Sequence, residues 1–324
     1  LTNGCQTSTG AASVAPDLPL NAPTPPAATR SMIAGMGLVA LAGCILASQD
    51  AAIKEMTARQ SPIQISFVRY CWHAVFVAIF LWATGRRRIY RTARLPLHVA
   101  RAVLLLTAST AMFIAIAFVP LSQATVIQFL SPLVVTLLSV VFLGERIGWR
   151  RITALALGFA GVLVVIGPQL GAEAGFSAIW LLPLLSAFAA AGYVLMTRRL
   201  SEPAETVPAM ALMPVICVLV LLPVQPFFWS PISAMDFAVL TLLGFTGTLA
   251  HVAIQLGMQA APASILSPFL YSQVIFASLL GIVFFREPMS IGFVLGTFLI
   301  VGAGLAIWWI ERPPATSSTR KVAQ

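Results

Sequence analysis

The 324-residue chain is 59% hydrophobic and 9% charged, and its formal net charge is +9. Soluble domains carry about 25% charged residues, so this chain could not cover its surface in water, and lipid must be its solvent. The basic balance does not point to nucleic acid, because the charges stand in short runs between apolar spans, as the loops of a membrane protein require.

Residues 1–31 lack an apolar run and are rich in Ala, Pro, Thr and Ser, which reads as a disordered tail without a cleavable signal. A hydrocarbon core about 30 Å thick needs about 20 helical residues. Ten segments meet that need, at residues 32–52, 63–83, 98–118, 122–143, 152–168, 177–197, 207–227, 236–257, 262–284 and 290–310. The seventh is interrupted by Pro208, Pro214, Pro223 and Pro226. All are predicted helices, since an open strand would leave backbone groups unpaired in lipid. Residues 311–324 form a second polar tail. The expected class is therefore an all-α integral membrane protein.

With the N-terminus inside, 15 of the 19 Lys and Arg residues fall on the inner side, Lys54, Arg59 and Arg286 fall outside, and Arg69 stays within a span. This positive-inside bias predicts both termini in the cytoplasm of a multi-pass cell membrane, a bacterial inner membrane, and an even number of crossings.

The stretch Pro120–Glu145 recurs at Pro262–Glu287 with a constant offset of 142 residues, matching Ser122 with Ser264, Leu137–Leu138 with Leu279–Leu280, and Val141–Phe142 with Val283–Phe284. The chain thus divides into repeats at 32–170 and 175–310, five spans each. An odd number of spans makes the second repeat enter from the opposite face. Two inverted five-helix repeats are the usual basis of alternating access, with a site between them.

Cys5, Cys44, Cys71 and Cys217 show no CxxC and no paired Cys/His spacing, so neither a disulfide framework nor a metal site is indicated, and no cofactor is expected.

Arg69 is the leading candidate for chemistry. A central Arg costs about 2.5–3.5 kcal/mol on insertion scales, so it should face the protein interior or water. It would hold an anionic group of a cargo by bidentate hydrogen bonds. A buried ion pair with Asp50 and snorkelling to the headgroups are the competing readings. Asp50 and Lys54, spaced i,i+4, form either a helix-end pair or a coupling site in which Asp50 carries a proton. His251, Gln255 and Gln259 make a polar stripe on the eighth span, with Gln128, Tyr271 and Gln273 as opposing polar residues and His73 one turn after Arg69. These either line a cavity or make interhelical hydrogen bonds worth about 0.6 kcal/mol each. Trp72, Trp82, Trp180, Trp229, Trp308 and Trp309 read as interface anchors. Glu145–Arg146 and Glu287–Arg286 read as helix-end anchors, with gating as the competing reading, and Gly158/Gly161, Gly244/Gly247 and Gly292/Gly296 as close helix contacts or hinges.

The chain resembles the drug/metabolite transporter superfamily in its EamA-type branch. The first half holds D-x-x-x-K at Asp50–Lys54, F-V-R at Phe67–Arg69, H-x-x-R-A-V-L-L-L from His98, V-P-L-S-Q-A-T-V-I-Q-F-L-S-P-L from Val119, F-L-G-E-R at Phe142–Arg146, W-R-R at Trp149 and G-F-A-G-V-L from Gly158. The second half holds G-x-x-G at Gly244 and Gly247, A-P-A-S-I-L-S-P-F-x-Y ending at Tyr271, and F-x-R-E-P at Phe284–Pro288. Ser131–Pro132 and Ser267–Pro268 depart from the main register by six residues. The resemblance implies a ten-helix secondary transporter with a central cavity, similar to a subgroup that includes riboflavin and S-adenosylmethionine uptake proteins. Amino-acid and drug exporters resemble it almost as well.

The expected partners are the lipid bilayer and a small polar organic cargo, vitamin-, nucleoside- or amino-acid-like, with the chain a monomer or homodimer. No G-x-x-x-x-G-K-[ST] loop is present, so the chain does not hydrolyse ATP itself. A polytopic membrane enzyme would need clustered acids or a nucleophile with its base, and a channel would need a ring of filter residues. Neither pattern is evident.

Overall fold

The computed structural model describes residues 25–85, 92–143, 148–170, 177–200, 205–260, 266 and 269–311, and among these there is no strand. The first half contains α1 (Pro25–Met56), α2 (Pro62–Ala83), α3 (Leu95–Phe118), α4 (Leu121–Gln128), α5 (Ser131–Leu143) and α6 (Trp149–Leu170). The second begins with a 3-10 turn at Ala178–Leu181 and continues through α7 (Leu182–Arg199), α8 (Thr206–Leu221), the single turn α9 (Gln225–Phe228), α10 (Ala234–Ala260), α11 (Ser272–Phe285) and α12 (Ile291–Glu311).

Local chemistry explains the boundaries. Ser61 caps α2 by accepting from the Ile63 N–H, and Pro62 follows in the first turn, where a missing donor costs nothing. Val119 is extended at φ −109° and ψ 146° because the residue before Pro120 is driven out of the helical region, so α3 stops there and α4 starts anew. Pro132 cannot donate to the carbonyl four residues back. The expected continuous span 122–143 is accordingly two helices, separated by a turn at Phe129–Leu130.

Among the described residues eight helical segments are long and apolar enough to cross a bilayer, and Val207–Leu221 and Ser272–Phe285 are shorter apolar helices. These two stand where the seventh and ninth spans were expected. Pro214 lies inside α8, and the helix ends two residues before Pro223; its 16 residues rise about 24 Å, short of the hydrocarbon thickness. Residues 25–31, expected as part of a disordered tail, are the first turns of α1, and Glu311 ends α12; residues 1–24 and 312–324, the Arg86–Arg91 run, Glu145–Arg146, Ser264, Ser267–Pro268 and the side chains of Gln255 and Gln259 lie outside what is described.

The most extensive helix contacts come in matched pairs. α1 packs on α10 as α7 packs on α3. α1 packs on α11 as α7 packs on α4 and α5, and α2 packs on α10 as α8 packs on α3. Three further contacts, α2 with α8, α4 with α11 and α6 with α12, join corresponding elements of the halves. The α6–α12 contact is close because Gly161 faces Gly296: a Cβ added at Gly296 would lie 2.7 Å from the Gly161 carbonyl oxygen. The buried core holds Ile53, Ile65, Ile116, Leu121, Ile127, Leu130 and Leu133 of the first half with Leu240, Val274, Ala277 and Ile300 of the second. Trp82, Phe118, Leu163, Phe284, Phe298 and Trp309 are exposed on the outside, where lipid tails would cover them. Trp180, expected as an interface anchor, is instead buried in the core, and Trp72 stacks on Phe76 and meets Phe237 edge-on.

Candidate functional site

Helices from both halves bring charged and polar side chains together within the bundle. Arg69 lies seven residues into α2, about 10 Å from its start, and is 8% exposed. Its guanidinium carbon sits 4.8 Å from the Tyr70 ring and 5.1 Å from the Phe113 ring. Nη1 donates to Gln49 Oε1 at 3.4 Å, and the Gln49 amide nitrogen in turn donates to the Leu243 carbonyl of α10. Buried Nε has no hydrogen-bond partner among the described residues. α10 can come this close because it presents Gly247, where a Cβ would stand 2.9 Å from Gln49 Nε2 and 3.5 Å from Arg69 Nη1.

Asp50 follows Gln49 on α1 and is also buried. Its Oδ2 accepts from Gln273 Nε2 of α11 at 3.1 Å. No Arg69–Asp50 pair forms within 4.0 Å among the described residues, so the buried ion pair considered from sequence is not what holds Arg69. Snorkelling is likewise not its arrangement, since the guanidinium is buried between aromatic rings. One turn beyond Arg69, His73 lies parallel to His251 of α10, with ring centroids 6.0 Å apart and an interplanar angle of 7°. Arg69 with Gln49, His73 with His251 and Asp50 with Gln273 thus make three polar contacts among α1, α2, α10 and α11.

Other expected residues are engaged differently. Gln128 donates to Ser186 Oγ at 2.9 Å, which donates to the Ala108 carbonyl. Tyr271 packs on Phe129, and its buried hydroxyl lies against Gly304. Lys54 does not pair with Asp50. Its Nζ donates to Glu287 Oε1 and to the Val119 carbonyl, both at 3.0 Å.

Glu287 is thus no simple helix-end anchor. It accepts from the Leu121 N–H, from the Ser122 N–H at 3.0 Å and from the Ser122 hydroxyl at 2.7 Å, placing its charge at the open N-terminus of α4. Burial alone would raise its pKa. The Ser122 N–H and hydroxyl, the Leu121 N–H and Lys54 outweigh burial and hold it below the usual glutamate range. At the other end of α3, about 30 Å away along the axis, His98 Nε2 meets Glu205 Oε2 at 2.8 Å, and Thr92 donates to the same oxygen at 2.8 Å. Arg101 there donates to Thr197 Oγ1, Tyr193 OH and the Ala209 carbonyl.

Sequence reasoning missed Gln49, Gly247 as the space beside Arg69, and the role of Glu287. The signals were present: Gln49 is an uncharged polar residue in an apolar span, and Glu287 recurs in register with the Pro–x–Ser that opens α4.

An all-helical bundle with an apolar exterior and buried charges between its halves defines an integral membrane protein of transporter type. The model of the EamA-like transporter family matches twice, over residues 33–167 and 176–309, and the chain belongs to that family, within the drug/metabolite transporter superfamily. Among similar proteins, the S-adenosylmethionine uptake transporter of Rickettsia felis is 23% identical over 88% of this chain and 96% of its own length. The riboflavin transporter of Brucella anthropi is 30% identical over 79% of this chain and 90% of its own. The pseudopaline exporter CntI of Pseudomonas aeruginosa is 26% identical over 84% of this chain and 95% of its own. A solved crystal structure shares the fold, with a TM-score of 0.59 and 18% identity, over 88% of this chain and 99% of that one.

Proposed function

We propose that the protein is a secondary transporter, not an enzyme, which carries a small polar organic metabolite across a bacterial inner membrane by alternating access. The observation that carries this reading is Arg69: a buried guanidinium with an unpartnered Nε, set in a polar cluster built from helices of both halves. An intramembrane charge of this kind marks a cargo path. Arg69, His73, His251, Gln255 and Gln273 are the proposed binding residues, with Gln128 and Tyr271 as flanking members. Asp50 is the proposed coupling acid. Lys54, tied to Glu287, contributes by holding one mouth rather than by touching cargo.

The two family matches and the matched helix contacts support a pair of five-helix repeats, inverted about an axis in the membrane plane, and the positive-inside bias of Lys and Arg supports cytoplasmic termini. Such a pair exchanges conformations, so that one mouth closes as the other opens. The test is flux into proteoliposomes of radiolabelled S-adenosylmethionine, riboflavin and pseudopaline, with the proton gradient imposed in either direction. Saturable, gradient-dependent uptake that Arg69→Ala abolishes is expected; stepwise ionic conductance would overturn the reading. The similarity to a named exporter favours a second direction, efflux, which the same vesicles read by reversing the gradient.

A further inference from the structure

We infer that His98 and Glu205 form a proton-binding site at the end of the bundle where α3 begins, and that a proton held there keeps that end closed. The inference goes beyond the transporter reading and concerns residues outside the proposed cargo site.

His98 opens the H-x-x-R run in the first turn of α3 and is 2% exposed. Its Nε2 meets Glu205 Oε2 at 2.8 Å and so joins α3 to the residue that precedes α8. The other ring nitrogen, Nδ1, is buried and has no hydrogen-bond partner among the described residues. With the Nε2–H donating to the carboxylate, Nδ1 keeps a lone pair to which a proton can add. The bonds from His98 and Thr92 hold the Glu205 carboxyl below the usual glutamate range, so it stays an anion beside the ring. Protonation turns the contact into an ion pair that exists only while α3 and the start of α8 stay together. A ligand bound better by one of two states draws the equilibrium toward that state, and here the ligand is the proton. Because Nδ1 is buried, the proton enters and leaves when this end opens.

The charges around His98 are fixed ones. Arg101, one turn further along α3, donates to Thr197 and Tyr193 of α7 and to the Ala209 carbonyl of α8. Arg94 donates to the Arg199 carbonyl at the end of α7. Guanidinium groups keep their charge throughout the physiological range. Cys217 of α8 donates to the Ala102 carbonyl, and Ala74–Ala83 of α2 carries no ionisable side chain. Among these residues, histidine alone is of a type that ordinarily changes charge between about pH 5 and 8.

The opposite end supplies the contrast. There Arg59, in the connection from α1 to α2, pairs at 3.2 Å with Asp236 in the first turn of α10. The two ties occupy matching places, since α10 packs on α1 and α2 as α3 packs on α7 and α8. One tie uses an arginine and holds its charge; the other uses a histidine and depends on a proton.

The test is amide hydrogen exchange of the purified full chain in lipid nanodiscs at about pH 6 and about pH 8, each rate corrected for intrinsic pH dependence. Residues 95–101 and 205–211 are expected to lose about tenfold in protection at the higher pH, the scale of one charged hydrogen bond, while residues 55–64 and 234–240 keep theirs. His98→Gln and Glu205→Gln should each flatten the difference, and Asp50→Asn should preserve it. Greater protection at the higher pH, no response at residues 95–101, or a full response surviving in His98→Gln would overturn the inference. Equal responses at the two ends of the unaltered chain would also overturn it, a comparison that stands even where a variant does not assemble. The transporter reading is judged separately, by flux.

Discussion

Arg69 and Gly247 make one packing unit, since a side chain on α10 at Gly247 would crowd both Gln49 and the Arg69 guanidinium. Arg69→Ala is expected to lower flux at least about a hundredfold, as for loss of a charge-assisted bond made to cargo, with membrane insertion unchanged by protease protection. Gly247→Ala places a methyl group 2.9 Å from the Gln49 amide, which is held on its other side by Leu243. Overpacking of this kind costs about 1–3 kcal/mol. A lower melting temperature and a raised KM for cargo, with ordinary expression, are expected. Much of this site was legible as residue types. An Arg, an Asp and two His inside apolar spans announce themselves by their cost in lipid. Pairing was not legible. Whether Asp50 meets Arg69, Lys54 or Gln273 depends on rotations of α1, α2 and α11 that no spacing along one helix encodes, and Gln49 escaped notice because an amide within a span is common.

Among the helices, the contacts of α4, α6 and α12 decide how much the bundle can tolerate. A side chain at Gly296 would meet the backbone oxygen of Gly161, and backbone cannot move aside as a flexible side chain can. Gly296→Val should therefore lower thermal stability in detergent by more than the same change at Gly302, which has open space around it. Glu287 adds a pH dependence. Its folded pKa is depressed, so the stability it contributes is fully present above the unfolded value of about 4.3 and is lost as pH falls through the folded value. The melting temperature of the unaltered chain should fall through that acidic window; Glu287→Gln should melt lower at neutral pH and lack that part of the slope. Prolines made most boundaries readable, including the end of α3 and the shortness of α8. The division of the fourth span did not register in sequence, because hydropathy averages across Phe129–Leu130, and only the backbone geometry ahead of Pro132 breaks the helix there.

On the scale of the whole bundle, the repeat seen at an offset of 142 residues and the matched helix contacts both agree with the proposed pair of inverted repeats. Cysteine labelling from either side should place both termini in the same compartment, and Asp50→Asn should remove the response of flux to a proton gradient while leaving downhill exchange. Labelled ends on different sides would end the inverted-repeat proposal. One consequence concerns how a mouth opens. Glu287 is a single carboxylate shared by α1 through Lys54, by the first turn of α4, and by the turn that leads into α12. Those three pieces cannot drift apart one after another, because freeing any of them robs the same two oxygen atoms of their partners. In the proposed carrier these three pieces would part together, as a latch with one bolt.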